Sequence, residues 1–357
     1  MVASPNASDL DNTLFDVAVL SPTDAWAVGE YTVDGYAAER TLIQHYDGTA
    51  WTIVPSPNRL TGTGRNQINS LRGVTAIAAN DVSAVGYTVS LDDPYRTLTM
   101  HWNGAGWSIV DSPNYTFPGA YNALLGVAAV ASNDVWAVGG APFAGVGGRG
   151  LLLHFDGVSW SLRPGPPNFE FWASSTRNGV VAVSAGDVWA VGEYDAWHFD
   201  GTAWTVPVAG AQFANDVDAA GPGAVWAVGS FGGVPSEGDP YGPYPIGYHF
   251  TGAGWQEQSA AALGLGAFTG VAVRANTEVI AVGFSGRFTY ALRFTGTEWQ
   301  RLAAGNGNPS PSTTLAIANV LLGIAHAGTS VWAVGYYFTG TGTDSGVQRT
   351  LIERYTC

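Results

Sequence analysis

Apolar and polar positions alternate along most of this chain in short runs, and the runs recur in sets of four. The first set is "LFDVAVL" (14–20), "AWAVGEYT" (25–32), "TLIQHYD" (41–47) and "WTIVPS" (51–56). Period-two alternation rich in β-branched and aromatic residues predicts half-buried strands. The first two runs are joined by tight-turn sequences ("SPTD", and further on "SND" and "AGD"). The last two are joined by "DGTA", "NGAG" or "DGVS", the Asp-Gly and Asn-Gly chemistry of two-residue hairpins.

The second run carries "WAVG" or a close variant seven times, beginning at Trp26, Ser83, Trp136, Trp189, Trp226, Ile280 and Trp332. The intervals are 57, 53, 53, 37, 54 and 52 residues, and wrapping from 332 round to 26 gives 51, one more ordinary period. The seventh set stops at "TLIERYTC", its third run. The missing fourth run is found at the other end: "MVASPN" matches the close of "WTIVPSPN" (51–58) and "WSIVDSPN" (107–114). These repeats predict an all-β, seven-bladed β-propeller of four-stranded antiparallel blades, one domain over residues 1–357. Residues 2–6 supply the strand that completes the last blade and removes a free edge.

The pattern "NDVWAVG … HFDG..W … SPN" resembles the repeats of bacterial, mostly secreted, propeller proteins and is similar in rhythm to tectonin and kelch propellers. The second and sixth units depart from it with "SAVG" and "IAVG". The resemblance covers essentially the whole chain. It implies the fold and a lectin-like leaning; it implies no reaction.

Composition narrows the chemistry. All 14 basic residues are Arg, which excludes Schiff-base lysines and the Lys-dependent phosphate loop. A net charge of −14 argues against nucleic acid as a partner. The one Cys, Cys357, allows neither an intrachain disulfide nor a Cys-based metal site. No apolar run is long enough for membrane insertion, and "MVASPNASD" lacks signal-peptide character. The charge-poor, Lys-free surface points to an extracellular protein whose leader was trimmed, with a cytoplasmic chain as the alternative. The expected assembly is a monomer.

Five of the six histidines, His45, His101, His154, His198 and His249, occupy one repeat position. Equivalent positions on separate blades cannot converge on one ion, so no metal site is predicted from them. A hydrogen bond to the Asp that opens the second strand (Asp24, Asp81, Asp134, Asp187) explains them better. In the sixth unit acid and base change together, to Glu278 and Arg293; the fifth sets His249 with Ala224 and the seventh Arg354 with Ser330. Eleven of 14 tryptophans are repeat residues expected to fill space between blades; Trp102, Trp172 and Trp197 lie off the repeat. His326, on a first strand, reads as a satisfied, partly buried side chain. Arg40, Arg96, Arg149 and Arg349 open third strands, where pairing with acids such as Glu30 is expected.

Framework residues report on folding, so departures from the repeat are the better guide to function. The long fourth–first and second–third connections share one face, here the long-loop face. The shortened fourth unit, "WAVGEYDAWHFDG", should leave a notch there. Beside it lie "PPNFEFWASSTRN" (166–178) and "FGGVPSEGDPYGPYP" (231–245). Phe169, Trp172, Arg177, Tyr194, Tyr241 and Tyr244 are the candidate ligand-binding residues, because aromatic faces stack on sugar rings while Arg and carboxylates bond hydroxyls. Such a site makes a glycan or another small polar molecule the expected partner.

The alternative is an enzyme on polysaccharides. Glu170 or Glu193 with Glu237 or Asp239 would be the carboxylate pair of a hydrolase, and Tyr194 or Tyr244 with Arg177 the base and cation of a lyase. A protein-interaction scaffold is the third reading. At the channel mouth, Asp16 and Asp216 replace the glycines of other first strands (Gly73, Gly126, Gly179, Gly270, Gly323), with Arg72, Asn178 and Asn215 beside them. Polar lining of this kind holds ordered water or a Ca-type cation. No other cofactor is predicted.

Overall fold

A computed structural model of the chain describes residues 1–35, 38–61, 67–91, 95–116, 120–141, 149–167, 177–207, 210–231, 243–286, 288–302, 319–339 and 346–356. Seven antiparallel sheets are arranged as a seven-bladed propeller. The first strands are Asn12–Ser21, Ile68–Ala78, Ala123–Ala131, Arg177–Ser184, Ala214–Ala219, Ala267–Ala275 and Asn319–Ala327. Each touches the first strand of the next blade, the seventh closing on the first. Within a blade the spatial order follows the sequence order. Among the described residues the one helical element is a short 3-10 turn, Ala261–Leu263.

Blade 7 contributes three strands, and the amino terminus closes it by a single bridge, Val2 N donating to Ile352 O at 2.8 Å. The equivalent bond in blade 1 is Val54 N to Ile43 O at 2.9 Å. The "SPN" that follows is a latch. Asn6 Oδ1 accepts from Thr350 N at 3.0 Å, and the hydroxyls of Ser4 and Thr350 meet at 2.7 Å. Blades 1 and 2 repeat it, with Asn58 and Ser56 on Thr41 and with Asn114 and Ser112 on Thr97. Ser-Pro-Asn therefore travels with Arg-Thr-Leu on the third strand, because each satisfies the other's polar groups.

Aromatic packing joins the blades. The second-strand Trp of one blade meets the fourth-strand Trp of the next edge-on: Trp26 with Trp107, Trp136 with Trp204, Trp189 with Trp255, Trp226 with Trp299 and Trp332 with Trp51, centroids 5.3–6.2 Å apart. The residue after the repeat His completes the contact: Phe199 lies on Trp136 and Phe250 on Trp189. Trp102 holds this same position and packs on Trp26 at 5.1 Å, so it belongs to the repeat after all. Such pairs contribute about 0.5–1.5 kcal/mol each beyond burial.

On the face opposite the long loops, His45–Asp24, His101–Asp81, His154–Asp134 and His198–Asp187 are hydrogen-bonded at 2.8–2.9 Å. Three of these imidazoles lie over the blade's own Trp, at 4.2–4.4 Å for Trp26, Trp136 and Trp189. Arg293 donates to Glu278 at 3.1 Å and Arg354 to Ser330 at 3.0 Å, while His249 reaches across to Asn276 of the next blade at 3.1 Å. Two of the third-strand arginines hold backbone carbonyls. Arg40 donates to the carbonyls of Glu39 and Gln67, and Arg349 to those of Ser8 and Asp9, fastening the fourth–first loops; Glu30 instead faces Arg72 at 3.6 Å.

Candidate functional site: the axial channel and the long-loop face

Every first strand has a β-bulge at one place, just before its Gly or Asp, where pairing with the second strand slips by a residue. The extra residues are Phe15, Arg72, Leu125, Asn178, Asn215, Thr269 and Leu322. A bulge bends the strand and re-aims a side chain, and all seven line a cavity of about 450 Å³ on the axis. Next to them stands the ring of Gly73, Gly126, Gly179, Gly270 and Gly323. A Cβ at Gly323 would come within 2.8 Å of Phe15 O, and one at Gly179 within 3.0 Å of Val217 N. Neighbouring backbones approach too closely there for most side chains.

Asp16 and Asp216 use that approach. Each carboxylate accepts from its own strand and from the next blade: Asp16 from Val17 and Val74, both at 2.8 Å, and Asp216 from Val217 at 2.8 Å and Val271 at 2.9 Å. Asp218 repeats the tie to Val273 at 2.7 Å. Asn178 donates to Ala214 O, Asn215 to Phe268 O, and His326 lies 3.1 Å from Val273 O, again from blade to blade. All five candidate channel residues therefore do line the cavity, together with His326 and Asp218. Among the described residues no three His, Cys, Asp or Glu side chains converge as a metal-binding set.

The three acids are set among the packed first strands and only partly open to the channel. Burial raises the Asp16 carboxyl to about 6 against the two N–H bonds it accepts, and raises Asp216 to about 8, where the charges of Asp16 and Asp218 add to the effect. Burial also raises Asp218. A folded-state value above the unfolded one means the native state holds its proton more tightly. The resulting stabilisation is complete below the ordinary carboxylate range and is lost as pH rises through about 8. The melting temperature is therefore expected to fall by about 3 °C or more between pH 6 and pH 9. Asp216→Asn, which has no carboxyl to titrate, should flatten that slope, so that its melting temperature gains on that of wild type between pH 6 and pH 9. Parallel melting curves for the two proteins would contradict it.

Outward from the mouth, the long-loop face has two polar–aromatic sectors. One is the notch. In blade 4 the second strand (Asp187–Gly192) and third strand (Ala196–Phe199) are joined by Glu193, Tyr194 and Asp195 alone. Tyr194 is half exposed, Asp195 is buried, and Glu193 O accepts from Phe213 N. Phe213 and Ala211 have positive φ, 58° and 55°, where non-glycine residues are uncommon. Phe213 packs edge-on to the exposed Phe231, which pairs in register with Tyr244. Glu193, Tyr194 and Tyr244 thus lie around one short rim. Phe169, Glu170, Trp172, Glu237, Asp239 and Tyr241 lie outside the described residues, as does the side chain of Arg177, whose backbone pairs with Gly192.

The other sector, across blades 1–3, was not assembled from the sequence, which assigned Arg72 to the channel mouth alone, because its members are spread over three blades. Arg72 lies 3.6 Å over the Phe15 ring and donates to Tyr87 Oη at 2.8 Å. Glu30 hydrogen-bonds Glu39, whose carboxyl is pushed well above the usual range by burial and by the Glu30 charge, against the pull of Arg72. The sequence clue is positional. Glu30 and Tyr87 stand at the residue after "WAVG" or "SAVG", as Glu193 does in blade 4.

No family model matches the chain, and no curated protein matches it in sequence. Solved structures share its architecture. YCF48 bound to D1 peptide aligns with a TM-score of 0.56 at 13% identity, covering 98% of this chain and 93% of that one. The extracellular domain of a hybrid two-component system from B. thetaiotaomicron gives 0.50 at 13% identity, over 97% of this chain and 38% of that one. A fungal lectin from Aleuria aurantia, six-bladed, gives 0.44 at 13% identity, over 95% and 91%. No helix among the described residues is long and apolar enough to cross a membrane. At such identities the first two likenesses bear on the fold alone.

Proposed function

We infer that the chain is a ligand-binding propeller that takes a glycan on its long-loop face, beside the shortened fourth blade. The observation that carries this reading is the three-residue connection Glu193–Asp195. It lowers the rim and leaves Tyr194 half exposed, flanked in sequence by Glu193 and Asp195. An accessible ring next to fixed hydrogen-bonding groups suits a sugar, which offers an apolar face and hydroxyl edges. In sequence, Trp172 lies in the connection that precedes blade 4, and Glu237 and Tyr241 in the connection between the second and third strands of blade 5.

The test is a glycan array followed by calorimetry on the strongest binder. Tyr194→Ala is expected to weaken that binding about tenfold, the loss of one stacking contact. An array without a binder, or affinity unchanged in both Tyr194→Ala and Trp172→Ala, would remove the reading. If the same glycans release reducing ends or unsaturated product on incubation, and Glu193→Gln abolishes the release, the polysaccharide-enzyme alternative replaces it.

A further inference from the structure

The sector across blades 1–3 is a built surface that the notch does not use. Tyr87 lies near the end of the second strand of blade 2 (Asp81–Val89), Tyr95 precedes its third strand (Arg96–Trp102), and Tyr121 leads into the first strand of blade 3. Their rings follow one another at 5.0 Å and 5.0 Å, tilted by 41° and 63°, and the outermost, Tyr121, is 42% exposed. At the inner end Tyr87 Oη meets Arg72, and Arg72 meets Glu30, which bonds Glu39. The row thus runs from an exposed aromatic ring to a half-buried cluster of donors and acceptors at the channel mouth.

Buried asparagines hold the row in place. Asn122, 3% exposed, donates through its amide to Tyr95 O and Tyr115 O and accepts from Tyr115 N at 2.7 Å; its own N–H bonds Tyr95 O. Asn69, fully buried, does the same one blade earlier, donating to Glu39 O and Leu60 O and accepting from Leu60 N. These side chains fix the backbones that carry Tyr95 and Glu39, so the surface is ordered before any ligand arrives. Preorganisation lowers the entropic cost of binding.

We propose that this tyrosine row, ending on Arg72, Glu30 and Glu39, is a second carbohydrate site, specific for neutral oligosaccharides. The proposal rests on the reading that the long-loop face binds glycans. Its charge specificity is its own. Glu30 offsets the Arg72 cation, Asp11 stands close by, and the chain carries −14 overall, so a uronate would meet net repulsion. A carboxylic acid–carboxylate pair beside a guanidinium both donates and accepts, which is what paired hydroxyls require. The phenol rings supply faces for the apolar side of the sugars.

The experiment is calorimetric titration of the full chain with cellohexaose, mannohexaose, xylohexaose and chitohexaose. Hexagalacturonate and decaproline serve as comparison probes, and Tyr95→Ala, Tyr121→Ala, Arg72→Gln and Tyr194→Ala as variants. At least one neutral hexasaccharide is expected to bind, about tenfold more weakly in Tyr121→Ala and in Tyr95→Ala. Tyr121 is exposed, so an unchanged melting temperature in Tyr121→Ala separates lost binding from lost folding. Neutral-sugar binding that survives both substitutions but falls in Tyr194→Ala overturns this site and leaves the notch standing. Stronger binding of hexagalacturonate or decaproline overturns the proposed specificity. No sugar binding by the wild-type chain overturns the underlying reading and this site with it.

Discussion

Gly86→Ala is expected to lower the melting temperature by about 5 °C or more, or to prevent folding, on the order of 4 kcal/mol. A Cβ built at Gly86 falls 1.9 Å from Ser70 O and 2.8 Å from the Ser70 carbonyl carbon, both backbone atoms of the adjoining first strand. Gly29, Gly139, Gly229, Gly283 and Gly335 meet the same obstruction at 1.8–1.9 Å. The cause is the bulge. By placing two first-strand residues opposite one, it swings a carbonyl over the second strand where "WAVG" ends. Strand and bulge cannot both persist with a methyl group there, and relaxing the bulge would withdraw Arg72 from the channel mouth. Gly106→Ala is the matched control. A Cβ at Gly106 meets nothing within 4 Å, so that substitution should stay within about 0.5 kcal/mol. Equal melting curves for Gly86→Ala and Gly106→Ala would refute the argument.

The repeat glycine shows what a sequence of this kind discloses. Its recurrence is plain on inspection, because a motif repeated seven times in alternating strands has few folds available. Its reason is not plain, since it lies in the bulge of a different strand some 15 residues away. The Asp–His pairs were legible for the opposite cause. Acid and base stand in one blade, and their joint replacement by Glu278 and Arg293 exposed the contact. The notch was equally visible as a missing loop. The tyrosine row was not. Tyr87, Tyr95 and Tyr121 are ordinary loop and strand-end residues in sequence, and only the packing of blades 1, 2 and 3 lines them up with Arg72 and Phe15 at one end. Departures from a repeat announce sites confined to one blade, while sites shared among blades require the geometry.

Deleting residues 1–8 is expected to open the ring between blades 7 and 1, costing about 3–6 kcal/mol and about 4–8 °C of melting temperature. Val2 contributes only one bridge to Ile352, so strand pairing alone does not explain so large an effect. The decisive group is Gln44, fully buried on the third strand of blade 1, where other blades carry Met100, Leu153 or Leu292. Its amide donates to Pro5 O at 2.9 Å and accepts from the Ser4 hydroxyl at 3.0 Å. The terminal segment is thus held by blade 1 as well as by Thr350 of blade 7. Without it Gln44 keeps its desolvation penalty and loses both partners, and the N–H and hydroxyl of Thr350 lose Asn6 and Ser4. Gln44→Leu or Gln44→Met in the shortened chain should restore part of the stability by removing the orphaned amide, whereas either change in the intact chain should be destabilising. That reversal of sign separates a structural latch from a passive tail. Melting unchanged by the deletion, or a Gln44→Leu effect of the same sign in both backgrounds, would show that the segment does not close the ring.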